Sequence, residues 1–499
     1  MPEHSGATPS SATRPATPAS PATSSATLPT TADVIAHLPW RWRVQGAIFL
    51  VGGLGFMFDA WDVALNGFLI PLLSDHWDLT VGQAAWIATV NLIGMAVGAF
   101  VWGGIADRIG RKSAFTLTLL TFTVFTAAGA FSPDLVLFCA FRFLAGFGLG
   151  GCIPVDYALV GEFSPAKHRG RVLTALDGWW PVGATLCALT SAWLIQFFDW
   201  RALMLVMIVP ALLVFAIRLF VPESPMYLAS AGRHEEADAI VSRLVARTGA
   251  EVTAWRRAEV ASPARAGGAV GAGAGGAGAG GASAGGGWRS QLAAATGQIA
   301  GLWRWSWKIT LTAWLLFVSV LLLYYAALTW LPGILRRQGL DDQAAFLVTG
   351  QMTGIGILGV LASALLVEVL GRRWLLGASA IAASAALVGF AWVLGNSGAE
   401  LVTSAQVLIL AFGFLIQISV PTLYTYVSEL YPTHLRASGF GWASSASRVA
   451  TGVAPLVFGS FMWPVLGLTW TFVCTGALVV VAMLVMAFLT HDTTGRELD

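Results

Sequence analysis

Apolar runs long enough to cross a bilayer, about 20 residues each, occur at roughly 45–73, 82–105, 113–132, 134–160, 172–196 and 201–221. Six more follow at roughly 308–331, 343–367, 374–394, 401–428, 437–461 and 466–489. The pattern predicts an all-α membrane protein of twelve transmembrane helices in two sets of six. Between the sets lies the longest polar stretch. It opens with HEEADAIVSRLVARTG, whose apolar residues recur at helical spacing and predict a surface helix. Residues 266–287 are glycine and alanine save Val270 and Ser283, the composition of a flexible linker. The first forty residues, rich in Ala, Pro, Ser and Thr, read as a disordered tail without a signal or transit sequence. The expected organisation is a tail over 1–40, a six-helix half over 41–228, a connector over 229–306, a second half over 307–490 and a C-terminal tail over 491–499.

The polar breaks repeat. Asp107-Arg-Ile-Gly-Arg-Lys follows the second span and Glu368-Val-Leu-Gly-Arg-Arg follows the eighth. Glu162-Phe-Ser-Pro with Arg169 closes the fourth span, and Glu429-Leu-Tyr-Pro with Arg436 closes the tenth. Two acid-then-base motifs recurring at nearly one offset indicate a duplicated six-helix unit, a common plan among transporters. With the N-terminus inside, the outward loops hold only Arg201, Arg336 and Arg337 of the 28 Lys and Arg. By the positive-inside rule both ends face the cytoplasm.

Composition agrees. Hydrophobic residues make up 56% and charged residues 11%, against roughly 25% charged in soluble domains. The net charge of +2, spread along the chain, gives no footprint for nucleic acid. The four cysteines, Cys139, Cys152, Cys187 and Cys474, all fall in apolar segments, so neither disulfides nor a metal site is expected. No P-loop or nucleophile elbow is present, which argues against an enzyme and against ATP-driven transport. No cofactor is implied. The alanine- and glycine-rich usage suits a bacterial inner membrane.

The chemistry lies in the charges the spans retain. A charge at mid-bilayer costs roughly 2.5 to 3.5 kcal/mol even on insertion scales, so each one calls for a reason. Asp62 sits about 16 residues into the first span, roughly 24 Å at 1.5 Å per residue. Arg142 enters the fourth span from the other side and reaches a similar depth, so the two can meet. Asp59, Asp62 and Asn66 share a face, and two close carboxylates cannot both ionise cheaply in a poorly solvated cleft, so one is expected to hold a proton. A static ion pair that locks the bundle is the alternative. Asp156 and Asp177 are candidates to line the inner cavity. Arg448 lies on a stripe with Gly441, Ser445 and Gly452; no acid is obvious at its depth, and a guanidinium suits a carboxylate. Trp179, Trp180, Tyr324, Tyr325, Tyr424 and Trp442 would suit a flat ring, although membrane tryptophans mostly serve interfacial belts. Together these favour an aromatic monocarboxylate.

GGIADRIGRK (103–112) resembles the loop motif between spans two and three of the major facilitator superfamily. RFLAGFGLGG (142–151), EFSPAKHRGR (162–171), PESPMYL (222–228) and SELYPTHLRASG (428–439) resemble its sugar-porter, organic-ion and synaptic-vesicle-protein branch. FDAWD (58–62) is similar to the DxxD of aromatic-acid:proton symporters and niacin-type metabolite carriers. The resemblance implies the major facilitator fold, an acid at Asp62 paired with an arginine at Arg142, and a cavity position for Asp177. LDGWWPVGA in span five and LLLYYAALTWLP in span seven lack the amides of sugar porters, which puts a sugar substrate in doubt.

Asp107, Arg111, Glu162, Arg169 and Arg171, with Glu368, Arg372, Glu429 and Arg436, are expected to pair within and between the halves as a cytoplasmic gate, formed only when the inner side is closed. The positive-inside rule alone would explain the arginines but not the repeated acids. The function these residues favour is proton-coupled symport of a small aromatic or heteroaromatic carboxylate by alternating access. A proton-antiporting exporter and a non-transporting sensor on the same scaffold remain open. Its partners are then a small-molecule substrate, protons and lipid, and the working unit a monomer.

Overall fold

The computed structural model describes residues 29–152, 160–165, 172, 175–209, 222–252, 254–255, 288–396 and 403–492. Asp156, Arg169 and Arg171, and residues 266–287, lie outside the described residues, as does the side chain of Asp107. Helices α1 (Ala47–Trp77), α2 (Val81–Ile109), α3 (Arg111–Gly129), α4 (Leu135–Gly150), α5 (Trp179–Leu194) and the short α6 (Trp200–Leu205) come from the first six apolar runs. The second six give α7 (Trp307–Arg337), α8 (Asp342–Leu370), α9 (Arg372–Asn396), α10 (Thr403–Leu430), α11 (Thr433–Val457) and α12 (Trp463–Leu489). Among the described residues seven continuous helices are long and apolar enough to cross a membrane, the last of them, Ser438–Leu489, taking in both α11 and α12. Leu365 and Val369 on α8 and Val465 and Phe488 on α12 stand exposed, as side chains facing lipid would.

The duplication read from the loop motifs recurs in the backbone. α2 starts at Thr80, whose hydroxyl accepts from the Gln83 N–H while the Gln83 side chain accepts from that of Thr80. α8 starts at Asp341, which accepts from the Ala344 N–H at 2.8 Å. Each cap satisfies donors that a helix start leaves open. The matching turn after each helix is made by Gly110 (φ +94°) and Gly371 (φ +83°), a region that side chains with a Cβ rarely adopt.

Glycines also set how closely the helices cross. Any Cβ on Gly94 or Gly98 of α2 would strike the Phe143 and Phe147 carbonyls of α4, and one on Gly146 or Gly150 of α4 would strike those of Asn91 and Met95 on α2. The two four-residue glycine steps therefore bring the backbones into contact, as small residues do where lipid supplies no hydrophobic drive. In the second half Gly413 of α10 meets the Met352 carbonyl of α8, and Gly359 of α8 meets that of Phe414 on α10. The device is the same.

The segment expected as a tail ends in a short helix, Thr31–His37, closed by a reciprocal Thr30/Asp33 cap. Its Val34 and Ile35, with Leu38 beyond, are buried, so these apolar side chains anchor the short helix by packing. The predicted surface helix is His234–Thr248, burying Ala237, Ile240, Val241, Leu244 and Val245. Arg41 donates to the Thr248 carbonyl at 3.3 Å, so α1 begins on the connector side. At the opposite side Arg336 of α7 joins the halves, 2.7 Å from Asp75 at the end of α1 and 2.6 Å from Asp342. Deeper in, Phe68 packs on Phe346 at 4.7 Å.

Gly110→Ala is expected to lower stability by at least about 1 kcal/mol, since the new methyl group meets Glu223 and the φ is strained. Gly104→Ala, in open helical space on α2, is expected to be neutral or to gain up to about 1 kcal/mol. Thermal unfolding in detergent separates the two; equal midpoints would show that the turn tolerates a Cβ.

Candidate functional site

The retained charges of α1 and α4 meet. Arg142 donates through one terminal nitrogen to Asp62 at 2.7 Å and through the other to the Asn66 carbonyl oxygen at 2.7 Å. Asn91 of α2 donates to the second Asp62 oxygen at 3.0 Å and to the Arg142 backbone carbonyl at 3.3 Å, and accepts from Asn66 at 2.9 Å. The ring Asp62–Arg142–Asn66–Asn91 is closed and has no solvent exposure beyond 1% at Asn66. Asn91 reaches it because Gly146, one turn beyond Arg142 on α4, lets the Asn91 backbone approach. Sequence reasoning passed over Asn91; the signal was an amide inside an apolar span, three residues before the first glycine of the crossing.

Asp59 lies one turn from Asp62, fully buried, and neither of its carboxylate oxygens has a hydrogen-bonding partner in the protein. Arg448 of α11 is within electrostatic reach of it, and Tyr325 is within reach of both. The sequence offered no obvious acid at the depth of Arg448, yet the fold sets Asp59 near it. Depth counted along separate helices does not fix their mutual approach.

Next to this group is a cavity between the halves of about 40 Å³. Phe56 of α1, Trp180 of α5, Tyr324 and Tyr325 of α7, Tyr424 of α10 and Arg448 of α11 line it, with Asp177 and the amide of Gln417. The Trp180 indole donates to the Tyr324 hydroxyl at 3.1 Å, and the rings of Phe56 and Tyr325 lie 5.5 and 5.9 Å from Trp180. Five of the expected aromatic and charged positions thus join Asp177 around one space. Trp442 does not line it; its indole points to Gln298 of the helix Trp288–Trp305 at 3.4 Å. Trp179 packs on Phe49, at 6.4 Å. Phe56 and Gln417 were missed, as an aromatic or a lone amide in an apolar run does not announce its face. Ligand sites usually hold about 300 Å³ or more, so the walls must part to admit a ring.

On the connector side the repeated motifs pair within each half. Arg111 lies 3.5 Å from Glu162, and Arg372 lies 3.1 Å from Glu429 and 2.8 Å from Glu368. Burial pushes the Glu162 carboxyl above the usual carboxylate range, with Arg111 partly offsetting it. Glu223 binds the Lys112 N–H at 3.1 Å, and the Tyr227 hydroxyl donates to the Arg108 carbonyl at 2.9 Å, which ties the PESPMYL motif to the turn at Gly110. Arg436 is half-buried in the first turns of α11.

Residues 47–499 match the family described as sugar (and other) transporter. The chain belongs to that family. It is a multi-pass membrane transporter, not an enzyme. The niacin transporter NiaP of Acinetobacter baylyi is 33% identical over 90% of this transporter and 94% of its own length. The 4-hydroxybenzoate transporter PcaK of the same organism is 27% identical over 90% and 92%. The partially occluded inward open conformation of the xylose transporter XylE from E. coli superposes with a TM-score of 0.70, covering 91% of this transporter and 100% of that chain at 17% identity. That likeness establishes the fold, the major facilitator architecture of two six-helix halves.

Arg142→Met is expected to destabilise the transporter by about 3–5 kcal/mol, because it strands the Asp62 carboxylate in a dry interior. Adding Asp62→Asn to that variant is expected to restore most of the loss. Unfolding midpoints of the single and double variants measure it; additive losses would mean that the pair is not coupled.

Proposed function

We propose that this transporter is a proton symporter that imports a small aromatic or heteroaromatic carboxylate by alternating access. The observation that carries the reading is the placement of Arg448 in an aromatic-walled cavity between the halves, within electrostatic reach of Asp59, which itself lies one helical turn from Asp62 of the Asp62–Arg142 pair. The relatives named for niacin and 4-hydroxybenzoate support the same substrate class. Both are aromatic monocarboxylates.

The coupling follows from competition for one cation. A buried carboxyl that no group hydrogen-bonds favours the neutral acid, so Asp59 is assigned the proton. With Asp59 neutral, the guanidinium of Arg448 is left to receive the substrate carboxylate in a bidentate pair, while Trp180, Tyr324, Tyr325 and Tyr424 enclose the ring. When Asp59 is ionised it competes for Arg448, and substrate binding weakens. Proton and anion therefore enter together. A proton reaching Asp62 loosens its hold on Arg142 and frees α1 from α4, the step assigned to the rocking of the halves. Asp177 and Asp156 line the inner part of the path. Arg336 with Asp75 and Asp342 closes the opposite side, and the Asp107/Arg111/Glu162/Arg169/Arg171 and Glu368/Arg372/Glu429/Arg436 sets act as the cytoplasmic gate. The working protein is a monomer in a bacterial inner membrane with both ends in the cytoplasm, its halves spanning 41–228 and 307–490 around the connector 229–306.

In proteoliposomes with an acidic outside, labelled nicotinate or 4-hydroxybenzoate is expected to accumulate uphill. Asp62→Asn is expected to abolish accumulation while sparing exchange of labelled for unlabelled acid, and Arg448→Met to weaken substrate binding by about 10- to 100-fold. Full accumulation by the Asp62 variant would remove the coupling scheme. Resistance to a toxic compound with no uptake of either acid would favour export instead.

A further inference from the structure

Gln417 is 3% exposed and lines the cavity, yet its amide nitrogen has no hydrogen-bonding partner in the protein. A buried donor without a partner is costly, so native structures keep few of them without a use. The side chain is held in place. Gly356 and Gly359 of α8 leave a bare surface against which it lies, and a Cβ on Gly356 would come within 2.7 Å of Gln417 Cγ and one on Gly359 within 3.1 Å of its Cβ. Pro421 stands four residues on, inside α10, and having no N–H it cannot accept the helical role of donating to the Gln417 carbonyl. The amide is close enough to the Tyr324 hydroxyl to act on it, but that oxygen already accepts from Trp180 and makes no hydrogen bond of ordinary geometry with the Gln417 N–H. A rigidly backed donor thus faces the same small space as the Arg448 guanidinium.

We infer that Gln417 is the specificity-determining donor of this cavity: it selects aromatic carboxylates that carry a hydrogen-bond acceptor in or on the ring, while Arg448 takes the carboxylate. The inference rests on the carboxylate reading above and deepens it. A ring with such an acceptor gives the Gln417 N–H the partner it lacks within the protein, whereas a ring without one leaves that donor as it was and gains nothing from it. The acceptor is either a ring nitrogen or an oxygen carried on the ring, and both satisfy the same donor.

The discriminating pair is nicotinate and benzoate, which differ by one ring atom. Calorimetric titration of the detergent-purified full chain is expected to give about tenfold tighter binding of nicotinate. Gln417→Leu is expected to bring that ratio to about one by weakening nicotinate alone, with benzoate changed by less than about twofold. Gln417→Met keeps much of the side-chain length but carries no N–H donor, and is expected to bring the nicotinate-to-benzoate ratio to about one as well; it decides the matter alone should the Leu variant not fold. An unchanged nicotinate-to-benzoate ratio in both variants, or an equal loss for both acids, would overturn the role of Gln417 and leave the carboxylate reading standing. Failure of the wild-type protein to bind either acid would bring down that reading and this inference with it.

Discussion

A membrane interior gives a charge no water to fall back on, and the pairing of Asp62 with Arg142 is the consequence around which this transporter is arranged. Leaving one member of such a pair alone costs several kcal/mol, so α1 and α4 are bound to present these two residues at one depth. The second Asp62 oxygen is satisfied by Asn91 and the second terminal nitrogen of Arg142 by Asn66, and Asn91 comes close enough only because α2 and α4 touch backbone to backbone at their glycines. The position of α1 then carries Asp59 and Phe56 toward the neighbouring cavity. Ion pair, glycine crossing and cavity wall form one chain of causes.

The two halves use the same elements to different ends. Glycine crossings join α2 to α4 and α8 to α10, and a glycine of positive φ turns α2 into α3 and α8 into α9. In the first half the crossing seats an ion pair. In the second it seats Gln417, a neutral donor against Gly356 and Gly359. The duplicated scaffold thus fixes where polar groups can stand, and the local residue type decides whether the place holds a charge or a neutral amide.

The cavity is smaller than any aromatic acid, with Trp180 and Tyr324 bonded to one another across it. On the proposed reading a ligand parts these rings, with the energy supplied by a charge-assisted contact at Arg448 and by stacking on the rings it displaces. A site of that kind would bind and rearrange in the same event, as the alternating-access proposal requires.

The twelve spans, the duplication, the family and the meeting of Asp62 with Arg142 were all legible in the sequence. Each rests on a one-dimensional quantity: the length of an apolar run, the recurrence of a motif, or the depth of a charge counted at 1.5 Å per residue. Most of the expected cavity residues were legible too, because spare aromatic rings and an arginine in apolar spans have few other places to go. Asn91, Gln417 and Phe56, the approach of Arg448 to Asp59, and the departure of Trp442 toward Gln298 were decided only by the tertiary structure. They depend on how each helix is rotated about its axis and how closely it crosses its neighbour. Helical periodicity assigns a residue to a face; which partner that face meets is settled by packing between helices far apart in the chain.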